Sequence, residues 1–380
     1  MAACVLFVGA AELCHADGSE GGDLDPNRAE WAVLPIIAGD TDIGFVFGAF
    51  VQWTRFREGI RPHERQIVTQ FKMSVDEGPD GAEFPTHDHF VGADLPGLSG
   101  GRVRLAPKVF YFHEITAGYY GLGNDSRYVE PDENDDEAAR RYQYAREAIG
   151  VEAQARLRIG GNWAVFSTLS ATGQDVDTYA GSLLRADAES LPDEIFGMGD
   201  NTVIQVLGGV VYDSRDHEVV PTRGVFADAS VRGSSGELTG ADHDYGGANI
   251  AVRGFVPIAP PYAVLAVRAT CDALAGDVPV YLLARAAGIS TIQAPAGKNA
   301  IRGIPAGRYH GKAKALANAE MRSMFHPFSI GTQRFRWGAA AFFDTGRVWA
   351  RADRASDEDG EGGGLKYGTG GGPRLQWGES

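Results

Sequence analysis

Two stretches of the chain carry residues whose types and spacing suit chemistry. The first, Lys298–Arg322, reads KNAIRGIPAGRYHGKAKALANAEMR and opens as a Gly- and Pro-punctuated loop that carries Arg302. The second, Arg334–Trp349, reads RFRWGAAAFFDTGRVW and carries one carboxylate, Asp344. A guanidinium presents a planar fork of donors that a carboxylate accepts in bidentate fashion, so a loop arginine and a strand aspartate are placed to meet. Other chemistry is poorly supported. His87 and His89 lie two apart on one strand face, a start for a metal site, but the sequence shows no third ligand and they read as an interfacial pair. GTGGGP at Gly368 lacks the strand–turn–helix setting of a phosphate loop, GSSG at Gly233 is a turn, and no G-x-S-x-G elbow is present. A barrel-wall phospholipase needs a facing Ser and His, and no such pair is evident. The expectation is therefore no catalysis, no cofactor and no metal.

The elements that must position these residues are strands. From Ala313 to Met321 the odd positions are Ala313, Ala315, Ala317, Ala319 and Met321, while Lys314, Leu316, Asn318, Glu320 and Arg322 occupy the even ones. Period two is the mark of a strand with two unlike faces. Glu320 and Arg322 share the face that Arg302 would meet. In the second stretch Phe335, Trp337, Ala339, Ala341 and Phe343 oppose Arg334, Arg336 and Asp344. The same alternation recurs in Ile43–Trp53, Arg65–Val75, Thr86–Leu95, Arg102–Tyr111, Glu147–Ile159, Trp163–Ser170, Thr202–Tyr212, Val225–Arg232, Ala248–Ile258, Tyr262–Leu274 and Leu365–Trp377. With one further strand assigned near Tyr179–Arg185, fourteen are readable. Pro107 conflicts with its strand, but the alternation on both sides of it is strong.

Composition agrees. Fifty-one glycines, 13 tyrosines and 19 phenylalanines among 380 residues suit many strands and turns. A net charge of −15 argues against nucleic acid as a partner and against docking on an anionic membrane surface. The acidic runs at Glu130–Glu137 and Asp353–Glu361 read as solvated loops. No apolar run approaches the length of a transmembrane helix, so a membrane protein of this sequence would be a closed barrel. A soluble β-sandwich, secreted, would alternate too. The number of strands and the aromatic residues ending their apolar faces, Trp53, Trp337 and Phe343, favour an all-β transmembrane antiparallel barrel. Residues 1–16, apolar and ending in Cys14-His15-Ala16, resemble a signal peptide, residues 17–30 form a polar leader, and 31–380 form the barrel. Cys271 then remains on an apolar face, where it is inert.

Residues Ile301, Arg302, Gly303 and Ile304, with GRYHG and ANAEMR after them, resemble the sixth extracellular loop and following strand of the BamA and TamA superfamily, the bacterial surface antigens. In that family the loop carries V/I-R-G-F/Y and the next strand F/G-x-D-x-G, matched here by Phe342, Asp344 and Gly346. Weaker matches are YYGLGNDS at Tyr119–Ser126, YDSRD and PTRG within Tyr212–Gly224, and GTGGGPRLQW at Gly368–Trp377. Ile304 stands where the family prefers an aromatic residue. The resemblance implies an outer-membrane barrel of the protein insertion and translocation class, in a Gram-negative-type bacterium, whose loop folds into the lumen and pairs Arg302 with Asp344. Glu320 and Arg322 are secondary partners. It implies the lipid bilayer as surroundings, client outer-membrane or secreted proteins as partners, and a separate periplasmic repeat protein, because the leader has no room for such repeats. Sixteen strands are usual in the family, so fourteen imply a smaller barrel or one truncated at its C-terminal end. A passive pore or anchoring barrel is the alternative.

Overall fold

A computed structural model describes residues 25–40, 43–78, 81–130, 136–260, 263–330, 333–361 and 363–377. The segment read as a signal peptide, and most of the leader, lies outside them. Alternating sequences pair with their chain neighbours, and among the described residues fourteen strands follow one another in a single antiparallel meander. These are β1 (Ala29–Asp40), β2 (Gly44–Arg55), β3 (Arg65–Gly78), β4 (Thr86–Leu98), β5 (Val103–Gly118), β6 (Gln143–Gly160) and β7 (Trp163–Thr178). The second half comprises β8 (Asn201–Asp213), β9 (Gly224–Ser234), β10 (Tyr245–Ala259), β11 (Ala263–Gly276), β12 (Ala313–Ile330), β13 (Gln333–Trp349) and β14 (Lys366–Trp377). A short strand, Gly81–Glu83, adds to the end of β3.

Two expectations about the strands are corrected. β1 lies ahead of the first strand read from sequence: Leu34, Pro35, Ile36 and Ile37 are apolar on both faces and hide the period of two. Near Tyr179 there is no strand; Leu183–Ser190 forms helix α1, whose first turn is capped by Ser182 accepting from the Arg185 N–H. Pro107 does lie within β5. The ladder to β4 is interrupted between Gly92↔Lys108 and Leu95↔Leu105, around the residue that has no N–H to offer.

The two faces of the sheet divide sharply. Val91, Val109, Ile149, Val151, Ile250 and Phe343 point outward and are exposed, whereas Arg146, Gln174, Asp228, Arg232, Asp272 and Asp344 point inward and are buried. A water-soluble sandwich has the reverse arrangement, so the outer face is one that lipid covers. Trp31 with Trp53 and Trp163 with Tyr212 mark the end of the wall with the shorter connections. Long connections, 119–142, 179–200, 277–312 and 350–365, gather at the other end, as extracellular loops of such barrels do.

The interior is not uniformly polar. At the long-loop end the inward residues Tyr144, Val176 and Leu274 pack with Tyr119, Leu184, Val280 and Tyr281 from the loops into a buried apolar cluster. Connection 277–312 supplies much of it by turning down inside the wall.

Candidate functional site

Inside the wall, connection 277–312 is built from short units: a helical turn, Val280–Leu283, then a two-stranded hairpin of Arg285–Ala287 and Thr291–Gln293, then the Ile301–Ile304 segment. It meets strands spread around the sheet. Gln154 on β6 donates to the Ile289 carbonyl at 3.0 Å, Gly307 abuts Gly118 on β5, and Arg302 lies against β13 and β14. The wall therefore wraps around the loop.

The residues singled out from sequence come together. Arg302 donates from Nε to Asp344 Oδ2 at 2.7 Å and from Nη2 to Oδ1 at 2.9 Å, and its own backbone N–H donates to Oδ2 at 3.1 Å. Asn318 Nδ2 adds a fourth donor at 2.7 Å and bridges to the Ala300 carbonyl at 2.8 Å. A carboxylate has about four acceptor sites, so Asp344, whose side chain is fully buried, is saturated. The guanidinium carbon stands 3.6 Å from the centroid of the Phe342 ring, a cation–π contact. Hydrogen bonding to Asp344 holds Arg302 still more firmly protonated than an ordinary arginine.

Glu320 is shared by three cations. Arg302 donates to one of its oxygens, while Arg322 Nε at 2.7 Å and Arg374 Nη1 at 3.1 Å donate to the other. Arg374 belongs to β14, so the network joins the loop to the last strand.

Space for the loop comes from glycine. A Cβ on Gly368 would lie 2.1 Å from the Arg302 carbonyl oxygen, and one on Gly346 would lie 3.1 Å from Ile301 Cδ1. Ile301 itself is fully buried, and Ile304 packs on Ala296, Tyr309 and Val348. Gly303 turns between them with φ of 88°, a conformation that a side chain strains.

A second cluster has no counterpart in the sequence reading. Arg232 on β9 donates two parallel bonds of 2.9 Å to Asp272 on β11 and a third, also 2.9 Å, to the Ala287 carbonyl in the hairpin. Asp272 also accepts from Asn249 Nδ2 at 3.1 Å and from the Ala287 N–H at 3.3 Å, with Lys314 Nζ 3.5 Å away. Asp228 accepts the Ile289 N–H at 3.3 Å. Spacing carries no sign of this cluster, because its partners lie on different strands and in a distant loop.

Outward apolar strands around a polar, loop-filled interior define an outer-membrane β-barrel with an inward-folded loop. An Omp85 superfamily domain matches residues 94–379, and the chain belongs to that superfamily and to the outer membrane. Among solved structures it resembles BamA from Haemophilus ducreyi lacking POTRA domains 1–3, at 14% identity and a TM-score of 0.52, covering 93% of this chain and 64% of that one. It also resembles CdiB from Escherichia coli, at 10% identity and a TM-score of 0.56, covering 98% of this chain and 61% of that one. The chain thus spans under two thirds of either structure, and at these identities the likeness speaks for the fold. No curated protein matches the chain.

Proposed function

We propose that the barrel inserts or translocates polypeptides at the outer membrane, with the inward loop as its internal brace. One observation carries this reading: Arg302, Asp344, Glu320 and Arg374 tie the loop to β12, β13 and β14 through charge-assisted hydrogen bonds. A brace at that position governs how the last strands stand relative to the rest of the wall. Ile301, Gly303, Ile304, Phe342 and Gly346 shape its seat, and Arg322 holds Glu320. Clients are unfolded outer-membrane or secreted chains. The apolar cluster at the extracellular end favours this reading over a passive pore, because a filled interior leaves little space for solute.

Reconstitution in liposomes tests it. The barrel is expected to speed the folding of a small urea-unfolded outer-membrane protein added from outside, scored by its heat-resistant gel mobility, and Arg302→Ala is expected to lose the acceleration. A steady single-channel conductance without any acceleration would instead support the passive pore.

A further inference from the structure

We propose that His87, His89 and His113 form a transition-metal site on the outer rim of the wall that takes a divalent ion such as zinc. The register makes it visible. His87 on β4 lies directly opposite His113 on β5, which lies directly opposite Glu147 on β6. His87 Nδ1 and His89 Nε2 are hydrogen-bonded to each other at 3.3 Å, and an ion that takes both nitrogens moves the shared proton to the far nitrogen of its ring. Two ligands about 2.0–2.1 Å from a tetrahedral ion stand about 3.3–3.4 Å apart, so this pair already has the bite of a chelate.

His113 supplies the third imidazole. Its ring centroid is 5.9 Å from that of His87, and its Nδ1 is buried with no hydrogen-bond partner. That nitrogen lies 3.7 Å from Glu147 Oε2. Metal-ligating histidines almost always donate their second N–H to a carboxylate or carbonyl, so Glu147 is positioned to orient His113 while Nε2 binds the ion. Among the described residues no three donors yet stand at ligand distance from one point. Occupancy therefore requires the His113 ring to turn toward the pair, and it replaces the 3.4 Å contact from the Lys72 N–H to His89 Nδ1. Stacking on Phe71 at 4.5 Å holds the His89 ring in place meanwhile.

Position makes the site reachable. On β6 the outward apolar residues run from Ile149 to Ile159, a ten-residue step that spans about 25 Å at 3.3 Å per residue and ~40° tilt, which is the height of a barrel's lipid-facing band. Glu147 and the histidines lie just beyond it, at the water boundary on the long-loop side. Three imidazoles leave a fourth tetrahedral position for water, and a bound ion would cross-link β4 and β5.

Titration of the purified, detergent-folded barrel with zinc chloride by calorimetry is the test, with cobalt(II) absorption as an independent reading of coordination. The expected result is one ion per chain with tetrahedral cobalt bands, abolished in His87→Ala/His89→Ala. His113→Ala should shift the cobalt spectrum, and Glu147→Gln should weaken binding about 10- to 100-fold. These outward side chains take no part in the Arg302 network, so heat-resistant gel mobility of each variant verifies folding. Zinc bound at full stoichiometry by the folded double variant, or a cobalt spectrum unmoved by His113→Ala, would overturn the site.

Discussion

Arg302 grips Asp344 with the Nε–Nη2 edge of its guanidinium and with its own peptide N–H. Three donors from one residue on one buried carboxylate fix both the side chain and the backbone of the loop at that point. Arg302→Ala is therefore expected to cost roughly 3–5 kcal/mol, because it leaves the buried Asp344 carboxylate with only Asn318 as a side-chain donor, and Asp344→Ala to cost less, because Arg302 keeps Glu320. Arg302→Lys keeps the charge but loses the fork and the face contact with Phe342, and should recover only part. Heat-resistant gel mobility and urea denaturation measure the loss; unchanged behaviour in both alanine variants would remove the brace from the account.

Gly368 provides a purely steric test. Its substitution by alanine places a methyl group 2.1 Å from the Arg302 carbonyl while leaving every charge intact. The expected outcome is partial release of the loop, seen as faster hydrogen exchange across 295–310. Exchange equal to wild type would show that β14 can retreat freely.

The Arg232–Asp272–Lys314 cluster should behave as a unit. Asp272→Ala leaves two buried cations, a loss of about 3–5 kcal/mol, whereas replacing all three by apolar residues of similar size should return a good part of it. It should also act separately from the first site: in Arg302→Ala the hairpin 285–293 is expected to keep its exchange protection. Loss of protection throughout 277–312 in that single variant would mean one anchor rather than two.

Acid should loosen the loop through His310. Burial, and secondarily the charge of Lys314, pushes the His310 imidazole down to about 3, so it is neutral when folded and takes up a proton near 6.5 when unfolded. Its contribution is complete above pH 6.5 and declines as pH falls toward 3, since the unfolded state then binds more protons. Burial also pushes the His243 imidazole down, so it adds to the fall in the same direction. Urea midpoints of the wild type are expected to fall across pH 6.5 to 5, and those of His310→Phe to fall less steeply.

The contrast between what could and could not be read from sequence has a physical basis. A strand with lipid on one side and a polar interior on the other announces itself by alternation, and Ala313–Met321 and Phe335–Asp344 were legible for that reason. β1 was not, because Leu34 to Ile37 is apolar on both sides, and α1 was mistaken for a strand because two adjacent leucines beside Tyr179 have no short period. The missed strand and the misplaced one cancel, so the count of fourteen agrees for a partly accidental reason. Arg302 and Asp344 stand out as a loop arginine and a strand aspartate, and a resemblance in motif implies their pairing. Asp272 and Arg232 do not, since only the register of separate strands brings them together. His113 escaped likewise, as the turn between β4 and β5 sets it opposite His87.

Because strands in both halves of the wall touch connection 277–312, the loop ties those halves together. The loop follows β11 in the chain, and it rests on β5, β6 and β9 while β12, β13 and β14 lie against it. Seating it is a step that joins segments far apart in sequence. Contacts such as Arg308 with Ser126, 182 residues apart in sequence, make that step one of long-range closure, the slow kind in protein folding.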